Sequence, residues 1–289
     1  MPRFSFVTVD VFTEKRFGGN PLAVFPDARG MSDADMQALA AEFNLSETTF
    51  VLPPADAANS ARVRIFNRRA EMPFAGHPNV GTGWVLAQQG RAKDGRLRFE
   101  EIAGLVEIEV GETITIAAPQ PLSLGPEMPV ELVAACARLK TSDVLTGAHK
   151  PVSASVGNSF VIAEVSGDAL TRATPDIGQF RDAAKSYTAM GANRLPLYLY
   201  AHDGGRIRTR MFSPLSGTVE DPATGSAATP LAALLLSLTP AAVGTYDIVQ
   251  GVEMGRPSRL LCSAHRAADG IRAKVGGSCV PVLQGTIEL

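Results

Sequence analysis

The feature that most constrains the fold of this chain is an approximate internal repeat. Gly19-Asn20-Pro21 in the first half is matched by Gly157-Asn158-Ser159 in the second. Farther along, Arg64-Ile65-Phe66-Asn67 is matched by Arg210-Met211-Phe212-Ser213, and a glycine-containing segment that enters a helix follows each. The three pairs of landmarks keep their order, with separations of 138, 146 and 147 residues. This spacing predicts a duplicated domain, with a coincidence of short motifs as the alternative.

Hydrophobic periodicity predicts mixed α and β structure in both halves. Strands are predicted over residues 4–12, 49–52, 62–67, 106–110, 113–117, 160–165, 197–200, 206–212, 245–249, 258–263 and 271–275. Helices are predicted over 32–43, 130–139 and 177–190, and from starts near Pro78 and Ser226. Four prolines between residues 119 and 129 mark the expected linker. The expected domains are therefore 1–122 and 123–289, with the C-terminal strand free to return to the first.

Composition excludes several broad classes of protein. With 45% hydrophobic and 19% charged residues the chain is expected to be globular, and its net charge of -2 offers no general attraction to nucleic acid or anionic membranes. The longest apolar run, 231–238, is too short to cross a bilayer, and no signal peptide is expected. Because Cys136, Cys262 and Cys279 are odd in number and widely spaced, we expect reduced thiols in a cytoplasmic protein.

Two turns that lead into helices are the candidate binding features, Ala75-Gly76-His77-Pro78 and Asp221-Pro222-Ala223-Thr224-Gly225-Ser226. The first backbone N–H groups of a helix lack partners, and the helix dipole adds a partial positive charge that suits a carboxylate. Ordinary capped helices, with Ser226 as a structural cap, are the alternative. Two such turns within a repeat favour a cleft shared by the two halves.

Neither turn carries the motif of a nucleotide-binding loop. No Gly-Lys-Ser/Thr follows the glycines, and Gly81-Thr82-Gly83 lacks the third glycine and the acidic residue of a dinucleotide fingerprint. The four histidines show no metal-ligand spacing, and the chain has no Cys-x-x-Cys. We therefore expect no metal, no nucleotide and no other cofactor.

Three residues near these features are candidates for acid–base chemistry. At a helix start the imidazole of His77 is expected to stay neutral, and a neutral imidazole both donates and accepts protons. Asp221 has the matching position in the second half, and Glu47 precedes a buried strand, as suits a general base at the mouth of a cleft. The ordinary alternatives are a structural histidine, a helix-capping aspartate and a solvated glutamate.

These motifs resemble the phenazine-biosynthesis PhzF-like family of the diaminopimelate epimerase-like superfamily. The matching segments span nearly the whole chain in the order of the family: Val9-Asp10-Val11-Phe12, Gly19-Asn20-Pro21-Leu22, Leu45-Ser46-Glu47-Thr48, Phe74-Ala75-Gly76-His77-Pro78, Gly157-Asn158-Ser159-Phe160 and Glu220-Asp221-Pro222-Ala223-Thr224-Gly225-Ser226. One departure is Asn79, where the family usually has Thr after His-Pro.

The resemblance implies an α+β fold of two pseudo-symmetric domains, each a curved, mostly antiparallel sheet around a central helix, with the active site between them. It implies that Glu47 is a proton shuttle assisted by His77 and Asp221. The residues that it assigns to substrate binding are Asn20, Gly76, Gly225 and Ser226. In the epimerases of the superfamily a cysteine in each half exchanges a proton, and the corresponding positions here are Ala75 and Pro222.

The implied function is that of a cofactor-independent isomerase, a homodimer, acting on a small carboxylate similar to a dihydro-anthranilate. An epimerase or racemase of a small acid is one alternative, and the absence of thiols at Ala75 and Pro222 argues against it. A non-catalytic protein that binds a small molecule is the other. No nucleic-acid or membrane partner is expected.

Overall fold

The computed structural model describes residues 1–191 and 193–289 of the chain. The chain divides into two compact units. The first unit consists of Met1–Ala117 and Gly276–Leu289, and the second of Ala118–Val275. The chain therefore passes from the first unit to the second between Ala117 and Ala118, whereas the proline-rich segment predicts this boundary after residue 122. The last residues of the chain belong to the first unit.

The first unit begins with a run of short strands and two helices. In chain order these are β1 (Arg3–Val11), β2 (Asn20–Phe25), α1 (Asp33–Phe43), β3 (Glu47–Leu52), β4 (Ala61–Asn67), β5 (Glu71–Met72), α2 (Gly76–Gln88), β6 (Arg96–Glu101), β7 (Gly104–Val110) and β8 (Ile114–Ala117). Helix α1 starts where the sequence predicts, since the Ser32 side chain accepts a hydrogen bond from the Asp35 N–H. Phe25 stacks on Phe50 in the core beneath it, with ring centroids 5.0 Å apart.

The second unit is also built of strands and helices, with four α-helices among its described residues. In chain order its elements are β9 (Ser123–Glu127), α3 (Val130–Cys136), β10 (Val144–Leu145), β11 (Val152–Ser155), β12 (Ser159–Val165), α4 (Gly167–Arg172), α5 (Ile177–Ser186), β13 (Leu197–Asp203), β14 (Arg206–Ser213), β15 (Thr218–Asp221), α6 (Gly225–Ser237), β16 (Val243–Gln250), β17 (Ser258–Ala267) and β18 (Gly270–Gly277), whose last two residues already belong to the first unit. Strand β19 (Cys279–Glu288) completes the chain and pairs antiparallel with β1 in the first unit.

The repeat predicted from the sequence is visible in the strand pairing. In the first unit β1–β2, β3–β4, β4–β5 and β6–β7 are antiparallel, while β2–β3 and β4–β6 are parallel. The second unit has the same series, with β11–β12, β13–β14, β14–β15 and β16–β17 antiparallel and β12–β13 and β14–β16 parallel. The expected fold class, α+β with two pseudo-symmetric and mostly antiparallel halves, is confirmed.

Each half has a long buried helix at the corresponding position. Helix α2 packs against β1, β2, β3, β7, β8 and β19, and α6 packs against β11, β12, β16 and β17. Nearly every residue of both helices is buried. Such helices draw their stability from contacts on all sides rather than from one apolar face. The two buried helices therefore fix the position of the chain segments that lead into their first turns.

The repeated Arg-x-Phe motif has the same structural role in both units. Arg64 forms a two-point ion pair with Glu71, at 2.7 and 2.6 Å, and its guanidinium lies 5.1 Å from the ring centroid of Phe66. Arg210 pairs with Glu220 at 2.8 and 2.8 Å in the same way and lies 4.9 Å from the Phe212 ring. Each glutamate precedes its helix, α2 or α6, by five residues. We call each arrangement an arginine clamp; it anchors the segment leading into the buried helix.

Several predicted elements need correction. The segment expected to be a linker contains strand β9, and the helix predicted over 177–190 ends at Ser186 and is followed by a short 3-10 turn, Thr188–Met190. Helix α4 and strand β19 lie outside every segment that periodicity assigned. Short or half-exposed elements lack the alternation on which such predictions depend.

Candidate active site

Helix α2 brings His77 to the end of the first-unit sheet. The helix begins at Gly76, and its N-cap residue is Ala75, which has no side-chain acceptor for the first N–H groups. Glycines 81 and 83 lie inside the helix, in keeping with its predicted start near Pro78. A Cβ on Gly81 would lie 2.6 Å from Leu22 Cδ2, and one on Gly83 would lie 2.8 Å from Ile108 Cγ2. These glycines therefore permit close packing of the helix rather than cradling a ligand.

A buried hydrogen bond sets the position of α2 against strand β3. The hydroxyls of Thr49 and Thr82 are 2.8 Å apart and fully buried. His77 precedes Thr82 by five helical residues, about 7.5 Å, and Glu47 precedes Thr49 by two strand residues, about 6.6 Å on the same face. The pairing of Thr49 with Thr82 therefore holds the first turn of α2 at the level of Glu47 along β3.

Glu47 and His77 lie next to each other in the first unit. The Nδ1 atom of His77 lies 3.4 Å from Oε2 of Glu47, and their side chains are only 7% and 16% exposed, in that order. Burial lowers the pKa of His77 to about 3, so the imidazole is neutral at physiological pH. The Nε2 atom is buried and has no hydrogen-bond partner among the described residues. A neutral ring with a proton on Nδ1 donates towards Glu47 and presents Nε2 as an acceptor.

Asn20, the other candidate in this part of the first unit, is fully buried at the start of β2. Leu22 pairs with Glu47 across the parallel strands β2 and β3. Because alternate residues of a strand share one face, Asn20 and Leu22 point to the same side as Glu47. That side is the one that α2 covers, since Leu22 contacts Gly81.

The corresponding turn of the second unit runs from Asp221 to the start of α6. The N-cap of α6 is Thr224, not Ser226, and it makes no capping hydrogen bond. Instead its hydroxyl donates to Oδ2 of Asp221 at 2.6 Å. Asp221 itself lies three residues before the cap. Neither Ser226 nor Asp221 is therefore the N-cap of α6. An N-cap hydroxyl drawn away in this manner leaves the helix start open to an external anion.

The first N–H groups of both helices are available. Among the described residues, no acceptor pairs with the backbone N–H of Gly76 or His77 in α2, nor with that of Gly225 or Ser226 in α6. The second unit adds the half-buried hydroxyl of Ser226. Farther along α6, Pro230 is the sixth helical residue and has no N–H, so the Ser226 carbonyl lacks the usual helical donor.

Comparison with known proteins agrees with this architecture over the full length of the chain. The sequence model of the family described as phenazine biosynthesis-like protein matches residues 9–285. The trans-2,3-dihydro-3-hydroxyanthranilate isomerase of Pseudomonas chlororaphis is 37% identical over 295 residues, covering 98% of this chain and 99% of that protein. An uncharacterized isomerase of Mesorhizobium japonicum is 35% identical over 298 residues, 98% of each chain. The crystal structure of a PhzF family phenazine biosynthesis protein from Bacillus anthracis matches with a TM-score of 0.89 over 100% of both chains, at 24% identity.

This chain belongs to the phenazine biosynthesis-like family. Its similarity to named isomerases extends over the whole length of both partners, and it is an isomerase of the PhzF type. In this PhzF-like isomerase Ala75 is the N-cap of α2, and Pro222 lies in the turn before α6.

Sequence reasoning missed one ionisable residue of the PhzF-like isomerase near α2. Both carboxyl oxygens of Glu101, at the end of β6, are buried without a hydrogen-bond partner in the described part of the chain. Burial raises its pKa to about 8, against a smaller opposing effect of the nearby Asn79 side chain. The Oδ1 atom of Asn79 is also buried and unpaired there, while its Nδ2 donates to the Ala75 carbonyl at 3.1 Å. Nothing in the local sequence separates Glu101 from the other acidic residues.

The described residues of the PhzF-like isomerase contain free thiols but neither a cluster of metal ligands nor a helix that could span a membrane. All three cysteines are free, and burial raises the pKa of the Cys136 and Cys279 thiols to about 12 and that of Cys262 further. Within residues 1–191 and 193–289, no group of three His, Cys, Asp or Glu side chains is arranged to hold a metal ion. No helix in those ranges combines the length and apolarity needed to cross a membrane.

Proposed function

We propose that this isomerase moves a proton between two carbons of a small, unsaturated carboxylate similar to a dihydro-hydroxyanthranilate, with Glu47 as the proton shuttle. The single observation that carries the proposal is the contact between buried His77 and mostly buried Glu47, 3.4 Å apart at the open start of α2. The substrate class follows the P. chlororaphis relative, which is named for trans-2,3-dihydro-3-hydroxyanthranilate and is 37% identical.

The proposed reaction needs one base that also returns the proton. The Glu47 carboxylate removes a proton from one carbon, and the electron pair moves into the conjugated system of the substrate. The carboxylic acid so formed then protonates a second carbon, which restores the carboxylate and shifts the double bond. Atoms and charge balance without an external reactant.

His77 supports this step by its neutrality. Because burial holds its pKa near 3, His77 adds no positive charge beside the Glu47 carboxylate. Its buried Nε2 atom offers a hydrogen-bonding position to the substrate. Asp221 provides a second carboxylate for hydrogen bonding, and Asn20 contributes an amide on the Glu47 side of the sheet.

The open helix starts are the proposed anchors for the substrate carboxylate. Backbone N–H groups of Gly225 and Ser226, with the Ser226 hydroxyl, offer several donors at the positive end of α6. Gly76 provides the equivalent N–H at α2. An anion bound by such groups contributes orientation as well as affinity.

The test is turnover of trans-2,3-dihydro-3-hydroxyanthranilate, followed by its change in ultraviolet absorbance. Glu47→Gln keeps the size of the side chain and removes the base, and it is expected to lower kcat by about a thousandfold. Glu42→Gln is the matched control, since Glu42 is an exposed glutamate of α1. Undiminished turnover by Glu47→Gln would exclude the shuttle.

Labelling in deuterium oxide separates isomerisation by one base from the two-base epimerase alternative. A single shielded carboxylate returns much of the original proton, so the product is expected to hold less than one deuterium per molecule at the new C–H position. Complete exchange with solvent, together with inverted configuration at one carbon, would favour the epimerase. Binding of the compound without turnover, seen as thermal stabilisation, would instead favour a non-catalytic role.

The cytoplasmic location and the homodimeric state belong to the same proposal and rest on the family resemblance. Light scattering coupled to size exclusion tests the second directly, with a mass of twice 30.4 kDa expected. A monomeric mass at micromolar concentration would contradict it.

A further inference from the structure

Gln250, the last residue of β16, lies at the centre of a buried polar network in the second unit. Its side chain is fully buried and lies against the turn before α6. The Nε2 atom donates to the Asp221 carbonyl at 2.8 Å and to Oγ1 of Thr224 at 2.9 Å. The Oε1 atom accepts from the Thr224 N–H at 3.2 Å and lies 3.1 Å from the Tyr198 hydroxyl. All four hydrogen-bonding positions of this amide are therefore occupied.

The orientation of the Gln250 amide is set by two backbone groups, one of which can only donate a hydrogen bond and the other only accept one. A backbone N–H can only donate, so the Thr224 N–H must face an oxygen. A backbone carbonyl can only accept, so the Asp221 carbonyl must face the nitrogen. Rotating the amide by half a turn would oppose donor to donor and acceptor to acceptor in a buried site, which is energetically costly.

The fixed amide then determines where the Thr224 proton points. Because Nε2 of Gln250 donates to Oγ1 of Thr224, the lone hydroxyl proton of Thr224 is free to be donated elsewhere. Its acceptor is Oδ2 of Asp221 at 2.6 Å, a short bond of the kind made to a charged oxygen. The chain of donation thus runs from Gln250 through Thr224 to Asp221.

The backbone next to Gln250 is fitted to the same turn. Gly251 has a φ of 77°, and a Cβ there would lie 2.6 Å from the Pro222 carbonyl oxygen and 2.5 Å from that of Arg256. Only glycine permits this approach of β16 to the turn. Behind the amide, the Tyr198 hydroxyl lies 3.0 Å from Oγ1 of Thr209, which closes the network on its far side.

We infer that Gln250 is a positioning residue, which directs the Thr224 hydroxyl proton onto Asp221 and so keeps that carboxylate an acceptor oriented at the start of α6. It touches Asp221 only through the backbone carbonyl and acts on the carboxylate through Thr224. The consequence for turnover rests on the proposed function. The hydrogen bond from Thr224 to the Asp221 carboxylate does not depend on that function.

The direct readout is the ¹³C resonance of the Asp221 carboxyl carbon in protein labelled at aspartate, assigned by its loss in Asp221→Asn. Thr224→Val removes the donor and is expected to move this resonance, whereas Thr224→Ser retains a hydroxyl and restores the wild-type position. Gln250→Leu is expected to move the resonance in the same direction as Thr224→Val. Because Gln250 acts through Thr224, the double variant is expected to match Thr224→Val alone.

Two further variants keep the inference open to refutation. Gln250→Met has a similar length and carries no N–H donor, so it no longer holds Oγ1 of Thr224 as an acceptor and is expected to move the resonance in the direction of Thr224→Val even if Gln250→Leu does not fold. Tyr198→Phe removes a contact to Oε1 but none to the turn, and is expected to leave the resonance unchanged. An unchanged resonance in Gln250→Met, or equal shifts in Tyr198→Phe and Gln250→Leu, would overturn the inference.

Kinetics give the functional consequence. With trans-2,3-dihydro-3-hydroxyanthranilate as substrate, Gln250→Leu is expected to lower kcat by about ten- to a hundredfold while KM changes less, since Asp221 is misdirected rather than removed. Resonance shifts with no turnover in the wild-type protein would retain the positioning role and reject the proposed substrate. Normal kcat in Gln250→Leu with a shifted resonance would reject the part of Asp221 in catalysis.

Discussion

Replacing Glu101 with glutamine is expected to stabilise the first unit, and by an amount that grows with pH. Both carboxyl oxygens of Glu101 are buried without partners among the described residues, and burial raises its pKa from 4.5 to about 8. The folded protein therefore binds a proton that the unfolded chain releases at neutral pH. An amide has a similar shape, carries no titratable proton and can donate to the neighbouring Oδ1 of Asn79.

The magnitude follows from the linkage between proton binding and folding. Below about pH 4.5 the carboxyl is protonated in both states, and Glu101 carries no ionisation penalty. Between that pH and about pH 8 the unfolded state ionises alone, so each pH unit lowers the free energy of unfolding by about 1.4 kcal/mol. The accumulated loss is about 3 kcal/mol at pH 7 and levels at about 5 kcal/mol above pH 8. Glutamine removes this loss.

Thermal unfolding measured by circular dichroism from pH 5 to pH 9 tests the expectation. The Tm of Glu101→Gln is expected to exceed that of the wild type by about 6 to 12 °C at pH 7, and by much less at pH 5. Glu112→Gln is the control, because Glu112 is exposed in the turn between β7 and β8 and is expected to change stability by less than about 0.5 kcal/mol at every pH. A Tm difference for Glu101→Gln that stayed constant with pH would refute the reasoning.

Three other expectations concern the packing of the helices and the charge state of the site. Gly81→Ala is expected to lower the free energy of unfolding in urea by about 1 to 3 kcal/mol, because its Cβ would lie 2.6 Å from a neighbouring side chain. Gly167→Ala, with open space around its Cβ, is expected to cause no loss and serves as the comparison. His77 is expected to show the ¹⁵N shifts of a neutral ring at pH 5. Since its pKa is lowered to about 3, the unfolded chain protonates first, and stability falls as pH drops from 6.5 towards 3; His77→Gln should flatten that fall, and a charged ring at pH 5 would contradict both statements. Arg210→Lys keeps the charge but loses the two-point pair with Glu220, and is expected to lower stability by about 3 kcal/mol in calorimetry; a loss below about 1 kcal/mol would mean that the clamp is not a major contributor.

Local patterns were sufficient for most of the fold. The Ser32 cap, the alternating strands and the repeated landmarks all act over a few residues, and the structure contains helices and strands where they predict them. Strand β19 was missed because its partner, β1, lies at the opposite end of the chain. It contains Pro281, opposite an irregularity in the pairing, and Gly285, against which the Phe6 ring packs, so its sequence lacks the usual strand pattern.

The residues of the candidate site also fall into two groups, those that a local sequence motif reveals and those that only the folded structure reveals. Glu47, His77 and Asp221 lie in recognisable motifs, and family resemblance assigned them roles. Gln250 and Glu101 lie in segments with no motif, at the ends of strands β16 and β6, and only burial distinguishes them from other polar residues.

By itself, the sequence determined the duplication, the two helix starts and the residue types available at each, because these depend on neighbours close along the chain. Tertiary structure decided what the residues do there. The packing of α2 against β3 places His77 next to Glu47, and Gln250 turns Thr224 from a helix cap into a donor to Asp221. Desolvation and hydrogen-bond geometry depend on atoms far apart in sequence, so the acid–base properties of this site arise only when the chain is folded.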